Sequence, residues 1–291
     1  MLKDHVDTVK NLIQTQQAYS WGYAHPEIVI EEGEYSITSS TPVLGGTEIM
    51  VGRDTCTAGI CGYYMGNKAL VTCGHGSIEV GDTVKFTSNY SAIGTVDYVQ
   101  YSNGESGDFS IITLNDDADL SHKIGSSDYG YITVTKGTHL APAVGTYITR
   151  YGDNTGYSSG TVEATNITVT TDQWVTVRGL TRAQITSGRG SELGDSGGPY
   201  VLAGAFCGVH HGQMVNNSNL VLFTPYALLN EAGFTAIGSH SCMSWNDAGA
   251  SYHSGFCSIC KETVYELHSD NWNHLLARCM ICGRTGQHQY D

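Results

Sequence analysis

Basic residues are scarce in this chain: 14 Lys plus Arg stand against 28 Asp plus Glu over 291 residues, a formal net charge of -14 at pH 7. Such a field repels a phosphate backbone, which argues against nucleic acid as a partner. No apolar run approaches the roughly 18 to 20 residues needed to cross a bilayer, so no membrane span is expected. The opening residues Met1, Leu2, Lys3, Asp4 and His5 also lack the apolar stretch of a secretory signal, and the chain as it stands is expected to be soluble. Charged residues make up only 14% and proline only 5 positions, while glycine takes 36 of 291, about 12% against a typical ~7%. With 40% apolar residues there is enough to bury a core, and disorder and collagen are excluded.

Few segments read as helix. Val6, Val9, Leu12 and Ile13 have helical spacing within residues 4–17, and a second short helix fits Pro225 to Ala232, ended by Gly233. From about residue 43 to 238 the text is strand-like. Runs such as Leu70 to Thr72, Ser110 to Leu114, Tyr147 to Arg150, Gln173 to Val177 and Tyr200 to Leu202 are broken by Gly, Asn and Asp. The economical architecture is all-β with one helix near its end. Three segments are expected: 1–42 with an N-terminal helix, 43–238 as the main domain, and 239–291 as a Cys/His-rich module with little aliphatic periodicity. The cysteines divide the same way. Cys56, Cys61, Cys73 and Cys207 are scattered through the first 240 residues, and Cys242, Cys257, Cys260, Cys279 and Cys282 crowd the end.

The densest chemical signal is Gly194, Asp195, Ser196, Gly197, Gly198, Pro199. A serine hydroxyl is a poor nucleophile at neutral pH and needs a base to take its proton. It also needs backbone N–H donors aimed at the charge forming on the attacked carbonyl oxygen, and flanking glycines let the chain turn so that such amides converge. Gly194 and Ser196 are the candidate oxyanion-hole donors. A base is offered by His75, at the end of the apolar strand Leu70, Val71, Thr72. The third member must orient the imidazole and stabilise it when protonated. Asp108, at the mouth of the apolar run Phe109, Ser110, Ile111, Ile112, suits that role. The expected catalytic set is His75, Asp108 and Ser196.

That order and those contexts resemble chymotrypsin-fold serine endopeptidases, and the intervening text is similar to the bacterial α-lytic protease and streptogrisin group. Val43, Leu44, Gly45, Gly46 and Ile49 resemble a mature amino terminus of that branch. Arg150, Gly152, Thr155, Gly156, Tyr157, Gly160, Thr161 and Val162 resemble its central strand-turn-strand text. Arg178, Gly179, Leu180 and Thr181 resemble the segment before its nucleophile, and Phe223 to Ala232 its closing helix. The resemblance implies two six-stranded antiparallel Greek-key barrels with a C-terminal helix, a secreted or cell-surface enzyme acting on protein or peptide substrates, no catalytic cofactor, and release of residues 1–42 by cleavage near Leu44. There are departures. The family cysteine directly after the catalytic histidine is replaced by Gly76, leaving Cys73 with Cys56 or Cys61 as candidate disulfide partner, and a second family disulfide is absent as a pair at Thr149 and Ser159.

In this family the wall strand after the nucleophile sets specificity. Here it reads Cys207, Gly208, Val209, His210, His211, Gly212. A histidine at the place of His210 resembles the glutamyl endopeptidases, with Ser191 supplying a nearby hydroxyl. The implied substrate-binding set is Ser191, His210, His211 and Gly212, with a lean to Glu or Gln before the scissile bond. Gly190 in place of an aspartate disfavours a Lys or Arg preference. Against the glutamyl reading stand Gln213 and the net negative charge, and a pocket for medium apolar or Gln side chains with His210 merely packed is the alternative.

In the tail, Cys257 and Cys260 form one C-x-x-C and Cys279 and Cys282 another, with eighteen residues (261–278) between them. Such knuckles suit Zn²⁺, since each turn presents two thiolates to one tetrahedral ion. His253, His268, His274 and His288 flank the pairs as a two-fold repeat. One four-thiolate site, two Cys₂His₂ sites or two disulfides all fit the spelling, with Cys242 left over. A structural zinc module that binds another protein or a surface is the expectation, and a catalytically silent protease-like scaffold, with the tail making the contact, is the competing function.

Overall fold

The computed structural model describes residues 42–126, 128, 130–138, 141–238, 242–247, 252–257, 263–267, 272–273 and 278–279. By contacts the chain divides into Met1–Ser39 and Ser40–Asp291, and the helix expected within residues 4–17 lies outside the described residues.

The fold is all-β with few helices. Six antiparallel strands close on themselves as a barrel: Ala205–Met214, Pro199–Leu202, Tyr147–Gly152, Gly156–Thr170, Thr176–Gly188 and Asn217–Pro225, the last pairing back to the first. Its interior is filled from alternate positions by Ile148, Val162, Ala183, Ile185, Tyr200, Val221 and Phe223, with Tyr200 stacked on Phe223 at 4.2 Å. Alternation follows from the two-residue period of a strand with one face inward. The N-terminal part forms an eight-stranded sheet that runs Phe234–Ala236, Cys61–Tyr64, Asn67–Thr72, Phe109–Leu114, Ala92–Gln100, Thr83–Phe86, Glu48–Val51, Asp54–Thr57.

Within that sheet Asn67–Thr72 and Phe109–Leu114 are central, and the stretches Ala69–Thr72 and Phe109–Ile112 are buried throughout, which is why they are spelled as largely apolar runs rather than alternating ones. Burying a side chain such as Leu70 or Ile111 contributes about 1.5–3 kcal/mol. Their antiparallel register, Val71 opposite Ile111 and Thr72 opposite Ser110, brings the end of one strand beside the start of the other. His75 and Asp108, far apart in sequence, thus become neighbours. Gly74 is required at that approach, because a Cβ there would meet the Phe109 carbonyl oxygen at 2.7 Å.

The helix spans Tyr226–Glu231, with Pro225 at its N-cap, and buries Tyr226 and Leu229, three residues apart on one face. Gly233 follows with φ +97°, where the chain reverses. One expected strand is trimmed: Gln173 falls in a hairpin turn, closed by Thr171 N–H to Val175 O at 2.9 Å and Trp174 N–H to Thr171 O at 3.0 Å, and the strand starts at Thr176. Trp174, 85% exposed with φ +63°, spells like a strand residue but caps the turn.

Candidate active site

His75, Asp108 and Ser196 form one hydrogen-bonded line. His75 Nε2 lies 2.8 Å from Ser196 Oγ, and His75 Nδ1 lies 2.5 Å from Asp108 Oδ2. The His75 side chain is 26% exposed and Asp108 is fully buried, so the imidazole faces a groove while the carboxylate is sealed behind it. Asp108 is fixed from several directions. Its Oδ1 accepts the N–H groups of Gly74 at 2.8 Å and His75 at 2.9 Å, and Thr224 Oγ1 accepts its own N–H at 2.8 Å.

Burial alone would push the Asp108 carboxyl up. The charge of His75 and hydrogen bonds from His211 and His75 outweigh burial and hold it well below the usual carboxylate range. For His75 burial opposes the imidazolium, and the charge and hydrogen bond of Asp108 overcome it, so its pKa is raised. An imidazole so placed can take the Ser196 proton and be stabilised as it does.

The turn carrying Ser196 is shaped by its glycines. Gly194 and Gly197 have φ of +95° and +85°, and a Cβ on Gly197 would sit 2.0 Å from Thr72 Oγ1. In a trans peptide the C=O and N–H point opposite ways. The Leu193 carbonyl accepts from Asn154 Nδ2, and the Asp195 carbonyl accepts from Gly198 N–H at 3.0 Å. The Gly194 and Ser196 N–H groups therefore point away from those contacts, and neither has a partner among the described residues. Beneath them the fully buried Asp195 meets Arg150, with Oδ2 3.2 Å from Nη2, and takes further bonds from Thr155 Oγ1 at 2.8 Å and Glu192 N–H at 3.0 Å. The conformation of the Ser196 turn is thus locked by a side chain of the barrel itself.

On the other side of Ser196, His210 is buried between Ser191 and Tyr200: Nε2 is 2.7 Å from Ser191 Oγ and Nδ1 is 3.0 Å from Tyr200 OH. Burial, reinforced by the charge of Arg150, holds His210 well below its ordinary pKa. Burial also pushes the Tyr200 phenol up, so it keeps its proton. Tyr200 OH and Ser191 Oγ thus hold both ring nitrogens of the neutral His210, one of which donates while the other accepts.

His211 faces the opposite way, with Nδ1 2.5 Å from Asp108 Oδ2. It borders a cavity of about 520 Å³ together with His75, Tyr101, Asp172, Gly212 and Met214. Of the proposed substrate-binding residues, Ser191 and His210 meet each other, whereas His211 and Gly212 line this second space beside the triad. Sequence reasoning did not assign Arg150, Tyr200 or Thr224 a place in the site. Arg150 carried a signal, a lone cation in an apolar strand, but its partner is the residue beside the nucleophile and only the fold reveals that.

Cys56, Cys61, Cys73 and Cys207 are all free and buried, so the disulfide from Cys73 to Cys56 or Cys61 does not form. Cys56 and Cys73 instead share a hydrogen bond, Thr72 Oγ1 lies 3.2 Å from Cys56 Sγ, and Cys61 Sγ donates to Val43 O at 3.1 Å. In the tail, His253 and Cys257 fall on the strand Tyr252–Cys257 and Cys279 on Arg278–Cys279. Cys260, His268, His274, Cys282 and His288 lie outside the described residues. Cys242, the leftover of the sequence reading, is the backbone partner of Cys257 across the sheet.

Comparison with known proteins adds an independent line. The family model described as Trypsin matches residues 43–232. Streptogrisin-C of Streptomyces griseus is 30% identical over 198 residues, which is 67% of this chain and 41% of that protein. The chain thus spans less than half the length of this curated relative. Among solved structures, the chymotrypsin of Cellulomonas bogoriensis is 28% identical with a TM-score of 0.55, covering 68% of this chain and 100% of that one. A glutamic-acid-specific serine protease described as utilizing a novel histidine triad in substrate binding shares the fold at 24% identity and a TM-score of 0.57, covering 67% of this chain and 100% of its own.

Proposed function

The chain belongs to the trypsin family, and from that premise and the geometry around Ser196 we propose that it is a serine endopeptidase acting on protein or peptide substrates. The observation that carries this is the line Asp108 Oδ2, His75, Ser196 Oγ, with contacts of 2.5 and 2.8 Å. His75 Nε2 takes the Ser196 proton as Oγ attacks the scissile carbonyl carbon. The developing oxyanion is met by the N–H groups of Gly194 and Ser196, whose removal in such sites costs on the order of 10²–10³ in kcat. His75 then gives its proton to the leaving amine, and water reverses the sequence on the acyl-enzyme. No cofactor is required for any step.

The specificity reading is a preference for Glu, then Gln, before the scissile bond. It is supported by the buried Tyr200, His210, Ser191 hydrogen-bond chain, which joins a histidine of the wall strand Ala205–Met214 to a hydroxyl, and by the likeness to the glutamic-acid-specific protease. Matched peptides that differ only in Glu, Gln, Leu or Lys at that position test it, with Ser196→Ala as the blank. Cleavage after Glu is expected to be fastest and absent in Ser196→Ala. Preference for Leu or Lys removes His210 and Ser191 from this role, and equal turnover by Ser196→Ala removes the mechanism.

The same reading assigns residues 43–238 to the protease domain, with the eight-stranded sheet as the counterpart of the closed barrel in a two-barrel enzyme, and residues 1–42 to a releasable pro-segment. It assigns 239–291 to a zinc-holding interaction module and the protein to a secreted or cell-surface setting.

A further inference from the structure

The triad carboxylate carries two imidazoles. Asp108 Oδ2 lies 2.5 Å from His75 Nδ1 and 2.5 Å from His211 Nδ1, and the two rings meet edge to face, 5.6 Å apart at 85°. With Oδ1 taken by the Gly74 and His75 N–H groups, the four acceptor positions of the carboxylate are filled. Strand geometry explains how two consecutive histidines reach different partners. The register steps from His210 opposite Phe223 to Gly212 opposite Leu222, so His211 is the extra residue of a bulge, a device that re-aims a side chain. His210 goes to Ser191 and Tyr200, and His211 to Asp108.

Building on the endopeptidase reading, we infer that His211 is a positioning residue of the triad: it shares Asp108 with His75, holding the carboxylate in place and moderating the basicity that the carboxylate confers on His75. A carboxylate that gives one lone pair to a second donor stabilises the His75 imidazolium less than one devoted to it. His75 is therefore a weaker base than its contact with Asp108 alone would make it, and is more completely neutral at a given pH.

Other titratable or charged groups around this pair are Asp54 and Cys56 on the strand Asp54–Thr57, Cys73 beside Asp108, and Tyr101, whose ring lies 5.8 Å from His75. Asp172 acts across the cavity on Tyr101, and His210 and Arg150 stand behind the wall strand. Among the described residues only Asp108 lies within hydrogen-bond distance of a His211 ring nitrogen, so replacing His211 changes the load on Asp108 first.

Two readouts test the assignment. In proton NMR of the wild-type protein, two strongly hydrogen-bonded imidazole N–H protons are expected at low field, each coupled to a histidine Nδ1, one of them lost in His211→Ala. In kinetics, His211→Ala is expected to move the acid limb of kcat/KM up by about one pH unit and to lower kcat by about tenfold. His211→Asn, whose amide can donate from nearly the same place, is expected to keep the wild-type limb. A single low-field Nδ1 proton in wild type overturns the inference, as does an acid limb that His211→Ala leaves in place or that His211→Asn shifts equally. Failure of the endopeptidase reading looks different: wild type has no turnover while the NMR spectrum still contains both protons.

Discussion

Burial works against a charged His75, yet the charge and hydrogen bond of Asp108 outweigh it and raise the imidazole pKa. A general base must be neutral, so kcat/KM is expected to fall as pH drops through that raised value, with unit slope in the logarithm. Asp108→Asn should lower kcat by about 10⁴ at neutral pH while leaving the fold intact, because the amide no longer selects the tautomer with the proton on Nδ1. Steady-state rates across pH check both. These three residues were legible in the sequence because each sits at a grammatical boundary, the end of an apolar strand, the start of another and a glycine turn. His211 was legible only as a neighbour of His210, since a strand alternates faces and no spelling rule announces a bulge.

Among the elements, the Ser196 turn depends most on a contact distant in sequence. Arg150 on Tyr147–Gly152 and Asp195 are both buried, and removing one partner of such a pair leaves an uncompensated charge at a cost of about 3–5 kcal/mol. Arg150→Met is expected to lower the urea midpoint accordingly and to abolish turnover, because Asp195 would turn toward water and take the Gly194 and Ser196 amides with it. An unchanged midpoint with full turnover would remove Arg150 from this role. The strand text around Arg150 was readable from its alternation. The strand expected from Gln173 begins only at Thr176, because apolar Trp174 and Val175 match a strand pattern, while the φ of +63° at Trp174 is a backbone fact of the hairpin turn.

For the whole molecule, the sequence divided the chain by composition, and the family match over residues 43–232 falls inside the expected protease segment. The tail is where composition says least about structure, because ligand spacing fits one site, two sites or disulfides equally well. Native mass spectrometry of freshly purified protein is expected to find bound zinc that leaves on acidification, when the cysteines and histidines are protonated. A metal-free mass at neutral pH contradicts the zinc module and leaves the protease domain untouched.

Reaction of the folded wild-type protein with a fluorophosphonate, followed by peptide mapping, reaches the nucleophile without requiring knowledge of the substrate. One phosphonyl adduct on Ser196, formed in wild type and lost in both Ser196→Ala and His75→Ala, is the expected result. A folded protein that takes no adduct, before or after removal of residues 1–42, contradicts the account.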